Sequence, residues 1–277
     1  MKHLIRLTDF TKDEVNEIFS IADKIQKGKY KNFLNGKSVV MFFPTNSIRT
    51  RVSFEKGIHL LGGQTILFSP ESLEKKENLQ DVADYLNNWA NAIIVRSKNI
   101  QVLETLAQYS KVPVINAMTD INHPCEVLSD MYSLSKIRKN YLQDKYLFCG
   151  TKGNIGLAWK EASRVMGFEL SQCCPKGYEL PDVFNYENIQ EAVKEKDIVL
   201  TDSIPNDFLP EYKGYQITKS IMETANEGAL LNPCPPFYRG EEVSKDVIDS
   251  KYFVGYSFKK YLLEVQQAII VYCSVSS

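Results

Sequence analysis

The chain has 277 residues, of which 44% are hydrophobic and 24% are charged, and its formal net charge is −1. This length favours two domains whose cores are large enough to need no disulfides, and the near-neutral charge argues against nucleic acid as a partner. No apolar stretch approaches about 18 residues and the first residues are of mixed polarity, so we expect neither a signal peptide nor a membrane partner.

The six cysteines lie mostly in predicted strands and lack the paired spacing of metal ligands. Adjacent Cys173 and Cys174 are typical of buried core residues rather than of a disulfide. We therefore expect no bound metal and a location in the reducing cytoplasm.

The first predicted elements are a helix, a buried strand and a second helix. A capping box at residues 11–14 begins a helix that ends near residue 25. The apolar run 38–43 is rich in β-branched and aromatic residues, which predicts a buried strand. Apolar residues then recur at helical spacing over 48–61, with Asn46 or Ser47 as the N-cap.

The start of the second helix has the features of an anion-binding site. Unpaired backbone N–H groups and the positive end of the helix dipole favour negative charge there. Arg49 adds a planar guanidinium suited to phosphate oxygens, and Ser47 and Thr50 add hydroxyl donors. We interpret this segment as a phosphate site; the alternative is a capped helix whose arginines are only solvated.

Strands and helices alternate along the remaining chain, apart from a polar segment at 69–78 that is too charged for a core. Strands are predicted at 64–69, 92–96, 112–117, 145–149, 168–174, 197–201 and 228–231. Helices are predicted at 79–89, 101–109, 124–140, 155–166, 189–194 and 218–225.

This alternation predicts an α/β fold of two domains, each a mainly parallel sheet flanked by helices. We place the first domain at residues 1–136 and the second at 137–258. A C-terminal helix at 259–274 should return to the first domain.

Ligands of parallel sheets bind at the carboxyl ends of the strands. The predicted phosphate residues, Arg96 and His123 all fall at or just after the end of a predicted strand. We therefore expect these groups to converge at one edge of the first sheet.

The Gly-rich turn at 150–156 has the strand–turn–helix context of a dinucleotide site, which would indicate a nicotinamide-dependent oxidoreductase. However, the acidic residue expected about 20 residues later is replaced by Cys173, Cys174 and Pro175. A tight turn that packs the helix on the strand is the favoured interpretation.

Together these motifs resemble the aspartate/ornithine carbamoyltransferase family. Residues 47–51 (Ser-Ile-Arg-Thr-Arg) are similar to its Ser-Thr-Arg-Thr-Arg signature, and residues 123–126 (His-Pro-Cys-Glu) to its His-Pro-x-Gln motif. Arg96 matches the arginine at the end of the intervening strand. Residues 234–236 (Cys-Pro-Pro) resemble the His-Cys-Leu-Pro segment of the ornithine branch.

The resemblance implies transfer of a carbamoyl group from carbamoyl phosphate to an amine, without cofactor, metal or covalent intermediate. It assigns the phosphate to Ser47, Ile48, Arg49 and Thr50. It assigns the carbamoyl group to Arg96, His123 and Glu126, with Arg96, His123 and Thr50 as the catalytic residues. It also implies a homotrimer in which Ser72 and Lys76 of a neighbouring subunit complete the site.

For the second substrate, the resemblance indicates an ornithine-type site formed by Asn154, Asp202, Asn206, Cys234 and Pro235. Ornithine, a related diamine or an N-acylated derivative is favoured over aspartate. Structural roles stay open for these residues: Asp202 as a loop cap, Asn154 as a support for the glycine turn and Cys234 as a core residue.

Four departures from the family pattern concern the substrates more than the fold. Ile48 replaces the usual threonine, Glu126 replaces glutamine, Leu262 stands where an arginine is usual, and the loop at 202–218 is short. An apolar residue at position 48 is similar to the N-acylornithine transcarbamylases. The alternative function is a catalytically weak relative that binds carbamoyl phosphate or another anion as a sensor or assembly subunit.

Overall fold

The computed structural model describes residues 1–276, and contacts divide the chain into two units. Unit 1 comprises Met1–Ser133 and the chain from Lys260 onward, and unit 2 comprises Leu134–Lys259. The chain therefore passes between the units twice, and unit 2 is inserted between the elements of unit 1.

Unit 1 contains a four-stranded sheet whose strands are all parallel, in the order β2-β1-β3-β4. These strands are β1 (Ser38–Phe42), β2 (Gln64–Phe68), β3 (Ala90–Arg96) and β4 (Val114–Met118). The helices are α1 (Lys12–Gln26), α2 (Ile48–Leu60), α3 (Leu79–Leu86), α4 (Ile100–Tyr109) and α5 (Pro124–Ile137), the last of which continues into unit 2.

The burial of each strand follows its place in this sheet. The side chains of central strand β1 are buried from Val39 to Phe42, which accounts for its continuous apolar run. Edge strand β2 is mostly exposed, including Ile66 and Phe68. The first sheet therefore has an open, apolar edge at β2.

Unit 2 contains a five-stranded parallel sheet in the order β7-β6-β5-β8-β9. The strands are β5 (Tyr146–Cys149), β6 (Leu170–Cys173), β7 (Phe184–Tyr186), β8 (Ile198–Thr201) and β9 (Leu230–Pro233). The helices are α6 (Asn154–Met166), α7 (Ile189–Ala192), α8 (Lys219–Met222) and α9 (Lys245–Ile248).

The last helix, α10 (Leu262–Val275), belongs to unit 1 and packs on α1 and α2. Gln267 Nε2 donates to the carbonyl oxygen of Gly57 at 2.9 Å, and the Tyr272 hydroxyl donates to Glu14 Oε1 at 2.9 Å. The predicted return of this helix is confirmed. Its predicted start was three residues early, because residues Tyr256–Tyr261 form a 3-10 helix.

The predicted fold class, two parallel-sheet domains flanked by helices, is confirmed. Strand β7 and helix α9 were not predicted, since three and four residues respectively are too few to show a period. Within residues 1–276, none of the helices combines the length and apolar character needed to cross a bilayer.

The Gly-rich turn after β5 is explained by packing against Phe148. A Cβ atom on Gly156 would lie 2.6 Å from Phe148 Cε1, and one on Gly150 would lie 2.9 Å from Phe148 Cζ. Phe148 is completely buried, so its ring has no space to retreat. The turn brings α6 close to β5, which supports the packing interpretation over dinucleotide binding.

We expect Gly156→Ala to destabilise the protein by about 1–2 kcal/mol, because the clash with Phe148 exceeds the gain in helix propensity. Urea unfolding followed by circular dichroism measures this change. Gly214→Ala is the matched control, since a Cβ atom there meets nothing within 4 Å. Equal stabilities for the two variants would contradict the packing role of Gly156.

Candidate active site

The sheet of unit 1 has a topological switch point between β1 and β3. From β1 the chain continues to β2 on one side, whereas β3 continues to β4 on the other. Ligands of open α/β sheets bind at the carboxyl ends of strands flanking such a point. Here α2 begins just after β1, and Arg96 is the last residue of β3.

The N-terminus of α2 presents several hydrogen-bond donors. Ser47 is the N-cap residue, but its side chain makes no capping bond. Its hydroxyl is buried and has no hydrogen-bond partner within residues 1–276. Arg49 is exposed, and the N–H groups of the first helical turn have no partners within the helix. This arrangement suits an anion bound in front of the helix.

Arg96 and Thr50, which are 46 residues apart in sequence, are in direct contact. Arg96 Nη1 donates to Thr50 Oγ1 at 3.1 Å, and Thr50 is buried. The nearby carboxylate of Glu55 accepts from Arg51 Nε at 2.7 Å, so these two residues form an ion pair within α2. The structure thus brings two predicted catalytic residues together at the switch point.

His123 is buried and directly precedes α5. The loop that carries it is fixed by a buried network that sequence reasoning missed. Asn116 Nδ2 donates to Asn122 Oδ1 at 2.6 Å, and Thr119 Oγ1 donates to the same oxygen at 2.9 Å. Both asparagines also donate to the carbonyl oxygen of Ile5. The signal in the sequence was a polar residue, Asn116, inside a buried strand.

Two neighbours of His123 have different environments. Cys125 donates its thiol to the carbonyl oxygen of Asn116 at 3.3 Å, and burial raises the pKa of this thiol far above its ordinary value. It is therefore an unreactive core residue. Glu126 lies in the first turn of α5 and is half-buried.

Ser72 and Lys76 follow edge strand β2. Ser72 lies in a 3-10 helix, Pro70–Leu73, and Lys76 is exposed. Neither side chain makes a hydrogen bond or ion pair with the described residues 1–276. In the C-terminal part of the chain, Leu262 is the first residue of α10. The neighbouring Lys260 ammonium lies 4.7 Å from the centre of the Tyr261 ring.

The sheet of unit 2 has its own switch point, between β5 and β8. Asn154 begins α6 after β5, and Asp202 directly follows β8. Asp202 Oδ1 accepts from the backbone N–H of Ser203 at 2.9 Å. Cys234 follows β9, is buried, and donates its backbone N–H to the carbonyl oxygen of Thr201 at 2.9 Å. These three predicted residues therefore lie at the carboxyl ends of adjacent strands.

The other two residues predicted for the amino substrate lie further out. Asn206 begins a short 3-10 helix, Asn206–Phe208, and is exposed. Pro235 is half-buried and forms a cis peptide bond with Pro236.

Asn206 also lines a cavity that sequence reasoning missed. The cavity lies within unit 2, has a volume of about 600 Å³, and is lined among others by Ile204, Asn206, Leu209, Tyr212, Tyr215 and Glu242. Burial raises the pKa of the Glu242 carboxyl to about 7, and the charges of Glu241 and Asp202 act in the same direction. Residues 1–276 contain no group of three or more His, Cys, Asp or Glu side chains that could hold a metal ion.

Comparisons with known proteins agree with these motifs. The family model of the aspartate/ornithine carbamoyltransferase carbamoyl-P binding domain matches residues 2–136, and that of the Asp/Orn binding domain matches residues 143–273.

Individual relatives match over nearly their full length. The ornithine carbamoyltransferase of Desulfotalea psychrophila is 32% identical over 297 residues, covering 97% of each chain. That of Geobacter sulfurreducens is 30% identical over 298 residues, covering 98% of each. The solved ornithine carbamoyltransferase from Pyrococcus furiosus aligns with a TM-score of 0.93 at 27% identity, covering 100% of this chain and 98% of its own. The chain belongs to the aspartate/ornithine carbamoyltransferase family.

Proposed function

We propose that this protein transfers the carbamoyl group of carbamoyl phosphate to an amine of ornithine or an ornithine-like amino acid and releases phosphate. The observation that carries the proposal is the contact between Arg96 and Thr50 in front of the α2 N-terminus. This contact places the Arg96 guanidinium beside the candidate phosphate site of α2, at the switch point between β1 and β3. The relatives, which are named as enzymes, support turnover rather than the sensor role.

Phosphate binding would use the first turn of α2. The backbone N–H groups of this turn and the hydroxyls of Ser47 and Thr50 would donate to phosphate oxygens, and the Arg49 guanidinium would add two charged donors. The N–H of Ile48, which donates to the carbonyl oxygen of Asn46 at 3.0 Å, would turn to the phosphate on binding. Because a backbone N–H is present whatever the side chain, isoleucine at position 48 is compatible with this role.

Carbamoyl transfer passes through a tetrahedral intermediate whose carbonyl oxygen becomes negative. Arg96 and His123 would donate hydrogen bonds to that oxygen. Preorganised donors of this kind lower the activation barrier most. Glu126 would accept from the carbamoyl NH₂ group. The attacking amine must be neutral, and its alignment with the carbamoyl carbon supplies much of the remaining acceleration.

The acceptor site is assigned to unit 2. Asp202 would supply a carboxylate for an ammonium group of an amino acid, and we assign Asn154, Asn206, Cys234 and Pro235 to the same site. The names of the relatives support ornithine as the first acceptor to test.

The deciding experiment is turnover of carbamoyl phosphate with a panel of ornithine, N-acetylornithine, 1,4-diaminobutane and aspartate, with phosphate release and the carbamoylated product both measured. We expect the ornithine-like amines to react faster than aspartate. Binding of carbamoyl phosphate without turnover for any amine would overturn the proposal in favour of the sensor role. A titration with nicotinamide cofactors tests the oxidoreductase interpretation in the same preparation.

We further propose that the protein acts as a homotrimer with Ser72 and Lys76 acting on the neighbouring subunit's site. Unit 1 exposes several large apolar side chains: Ile66 and Phe68 on edge strand β2, and Tyr85 and Trp89, which are 66% and 61% exposed, between β2 and β3 in the chain. Exposed apolar groups in this number favour contact with another copy of the chain. Ser72 and Lys76 follow that same edge strand.

We expect an inactive Arg49→Ala subunit and an inactive Lys76→Ala subunit to restore activity when mixed. Some sites in a mixed trimer would combine an intact Arg49 with an intact Lys76 from its neighbour. Phosphate release after subunit exchange measures the recovery, and light scattering measures the mass. A monomer, or no recovery despite proven exchange, would contradict shared sites.

We also propose a cytoplasmic location. All six cysteines are present as buried free thiols. Thiols in this number are typical of proteins from a reducing compartment.

A further inference from the structure

Another cavity lies within unit 1, beside the C-terminal ends of α1 and α2 and the start of α10. Its volume is about 410 Å³, which is within the usual range for a small-molecule site. Ile25, Leu60, Leu61 and Leu263 form an apolar wall. Helix α2 begins at the candidate phosphate site and ends at this cavity, so its 13 residues separate the two by about 18 Å along the helix axis. The cavity therefore lies away from the candidate phosphate site.

Two side-chain amides that line this cavity donate their N–H groups to other parts of the protein. Gln267 Nε2 donates to the carbonyl oxygen of Gly57 at 2.9 Å, and Gln26 Nε2 donates to the Tyr132 hydroxyl at 2.7 Å. The Tyr132 hydroxyl donates its own hydrogen to Asp23. The side-chain oxygens of the two glutamines have no hydrogen-bond partner within residues 1–276, so both are open acceptors.

Three charged side chains line the cavity, and they do not pair with one another. Glu264 is half-buried and makes no hydrogen bond or ion pair within residues 1–276. Its Oε2 is enclosed by protein atoms, so a ligand would meet Oε1. Lys29 and Lys31 are exposed, and neither ammonium forms an ion pair with a carboxylate in the described part of the chain. A ligand that carries both charges can contact all three side chains.

The acceptors and the cations suit different groups of such a ligand. The Glu264 carboxylate, the two glutamine oxygens and the negative ends of the α1 and α2 dipoles favour an ammonium group. Lys29 and Lys31 favour a carboxylate, and the apolar wall favours an aliphatic side chain. An ion with a single charge leaves either Glu264 or the lysines without a partner, whereas an amino acid satisfies both.

We propose that this cavity binds a free α-amino acid with an aliphatic side chain, as a site additional to the candidate active site. The ammonium group contacts Glu264 Oε1, the carboxylate contacts Lys29 and Lys31, and the side chain packs on the apolar wall. This assignment depends only on side chains of unit 1 and does not require the proposed function.

The first test is calorimetry with L-leucine and with two analogues that each lack one charge. The analogue 4-methylpentanoate lacks the ammonium group, and 3-methylbutan-1-amine lacks the carboxylate. We expect leucine to bind at least about 10-fold more tightly than either analogue, since charged hydrogen bonds are lost in each case. No binding of leucine at millimolar concentration, or equal affinity for leucine and one analogue, would overturn the proposal.

Variants of the charged side chains locate the ligand. Glu264→Gln should weaken leucine binding by about 10–100-fold, the usual cost of losing one charged hydrogen bond. Lys29→Gln combined with Lys31→Gln should have a similar effect, because both lysines are donors to one carboxylate. Neither change removes an observed contact, so circular dichroism should show an intact fold.

The matched controls are Glu17→Gln and Lys27→Gln. Both residues are exposed in unit 1 and lie outside the cavity wall, and Lys27 belongs to the same turn as Lys29. We expect both controls to bind leucine as the wild type does. Unchanged affinity in Glu264→Gln, or an equal loss in the controls, would overturn the proposal.

A last variant distinguishes this cavity from the proposed acceptor site of unit 2. Asp202→Asn should leave leucine binding unchanged, because Asp202 does not line the cavity. Loss of binding in Asp202→Asn with normal binding in Glu264→Gln would place leucine in the acceptor site and reject the cavity proposal. A crystal structure at saturating leucine with only ordered water in the cavity would also reject it. None of these readouts uses turnover, so failure of the proposed function would leave them unaffected.

Discussion

Replacing Arg96 by alanine should lower kcat about 10²–10³-fold, the usual cost of losing one oxyanion donor. Arg96 ends β3 at the switch point, and its contact with Thr50 holds the guanidinium in front of α2. A donor that acts on the developing negative charge is needed more in the transition state than in the ground state. The loss should therefore fall on kcat, with a smaller effect on KM.

His123→Ala should cost somewhat less than Arg96→Ala if the imidazole acts as a neutral donor. The buried network around Asn122 fixes the loop independently of the imidazole, so the fold should survive. The dependence of kcat on pH reports which form of His123 is active.

The competing explanation gives Arg96 and His123 structural roles only. It predicts a lower melting temperature with near-normal turnover in the folded fraction, so kcat and Tm must be measured on the same preparations. Arg164→Ala is the control, since Arg164 forms an exposed pair with Asp182 in unit 2. A loss of stability without a loss of rate would remove Arg96 from the catalytic group.

Arg49→Ala should abolish measurable binding of carbamoyl phosphate while leaving the fold intact. Arg49 lies in the first turn of α2 and is exposed, so its removal creates no cavity. A guanidinium that binds phosphate through two hydrogen bonds contributes both charge and geometry, and the hydroxyls of Ser47 and Thr50 replace neither.

Calorimetry with carbamoyl phosphate measures this loss, and circular dichroism checks the fold. The matched control is Lys56→Ala, which removes one exposed positive charge from the same helix at a distance from its N-terminus. If both variants bind as the wild type does, the phosphate is not held by Arg49. If both weaken equally, only the net charge of the helix matters.

Local patterns were sufficient to predict most of the fold and much of the candidate site. Strand β1, helix α2 and Arg96 each had a clear signal in a short window. We predicted that the start of α2 and Arg96 would lie close together because ligands of parallel sheets bind at the carboxyl ends of the strands. This prediction needed no three-dimensional coordinates.

The missed features depend on contacts between irregular segments. Tyr212 and Glu242 come from loops 30 residues apart that have neither helical nor strand periodicity, so no pattern indicated that they line one cavity. The Asn116 network was missed for a related reason. Asn116 donates to Asn122 and to Ile5, and Ile5 is 111 residues away in the sequence, so no local pattern indicates the contact. Strand β7 was missed because three residues carry too little signal.

The insertion of unit 2 into unit 1 affects how the protein is made on the ribosome. Translation delivers all of unit 2 before α10 emerges, although α10 packs on α1 and α2 near the start of the chain. At a translation rate of about 5–20 residues per second, unit 2 has time to fold before α10 is synthesised. Until then, the apolar faces of α1 and α2 that α10 covers stay exposed. The half of the protein that is synthesised first is thus completed last. Nascent chains stalled before α10 should be the species that chaperones hold.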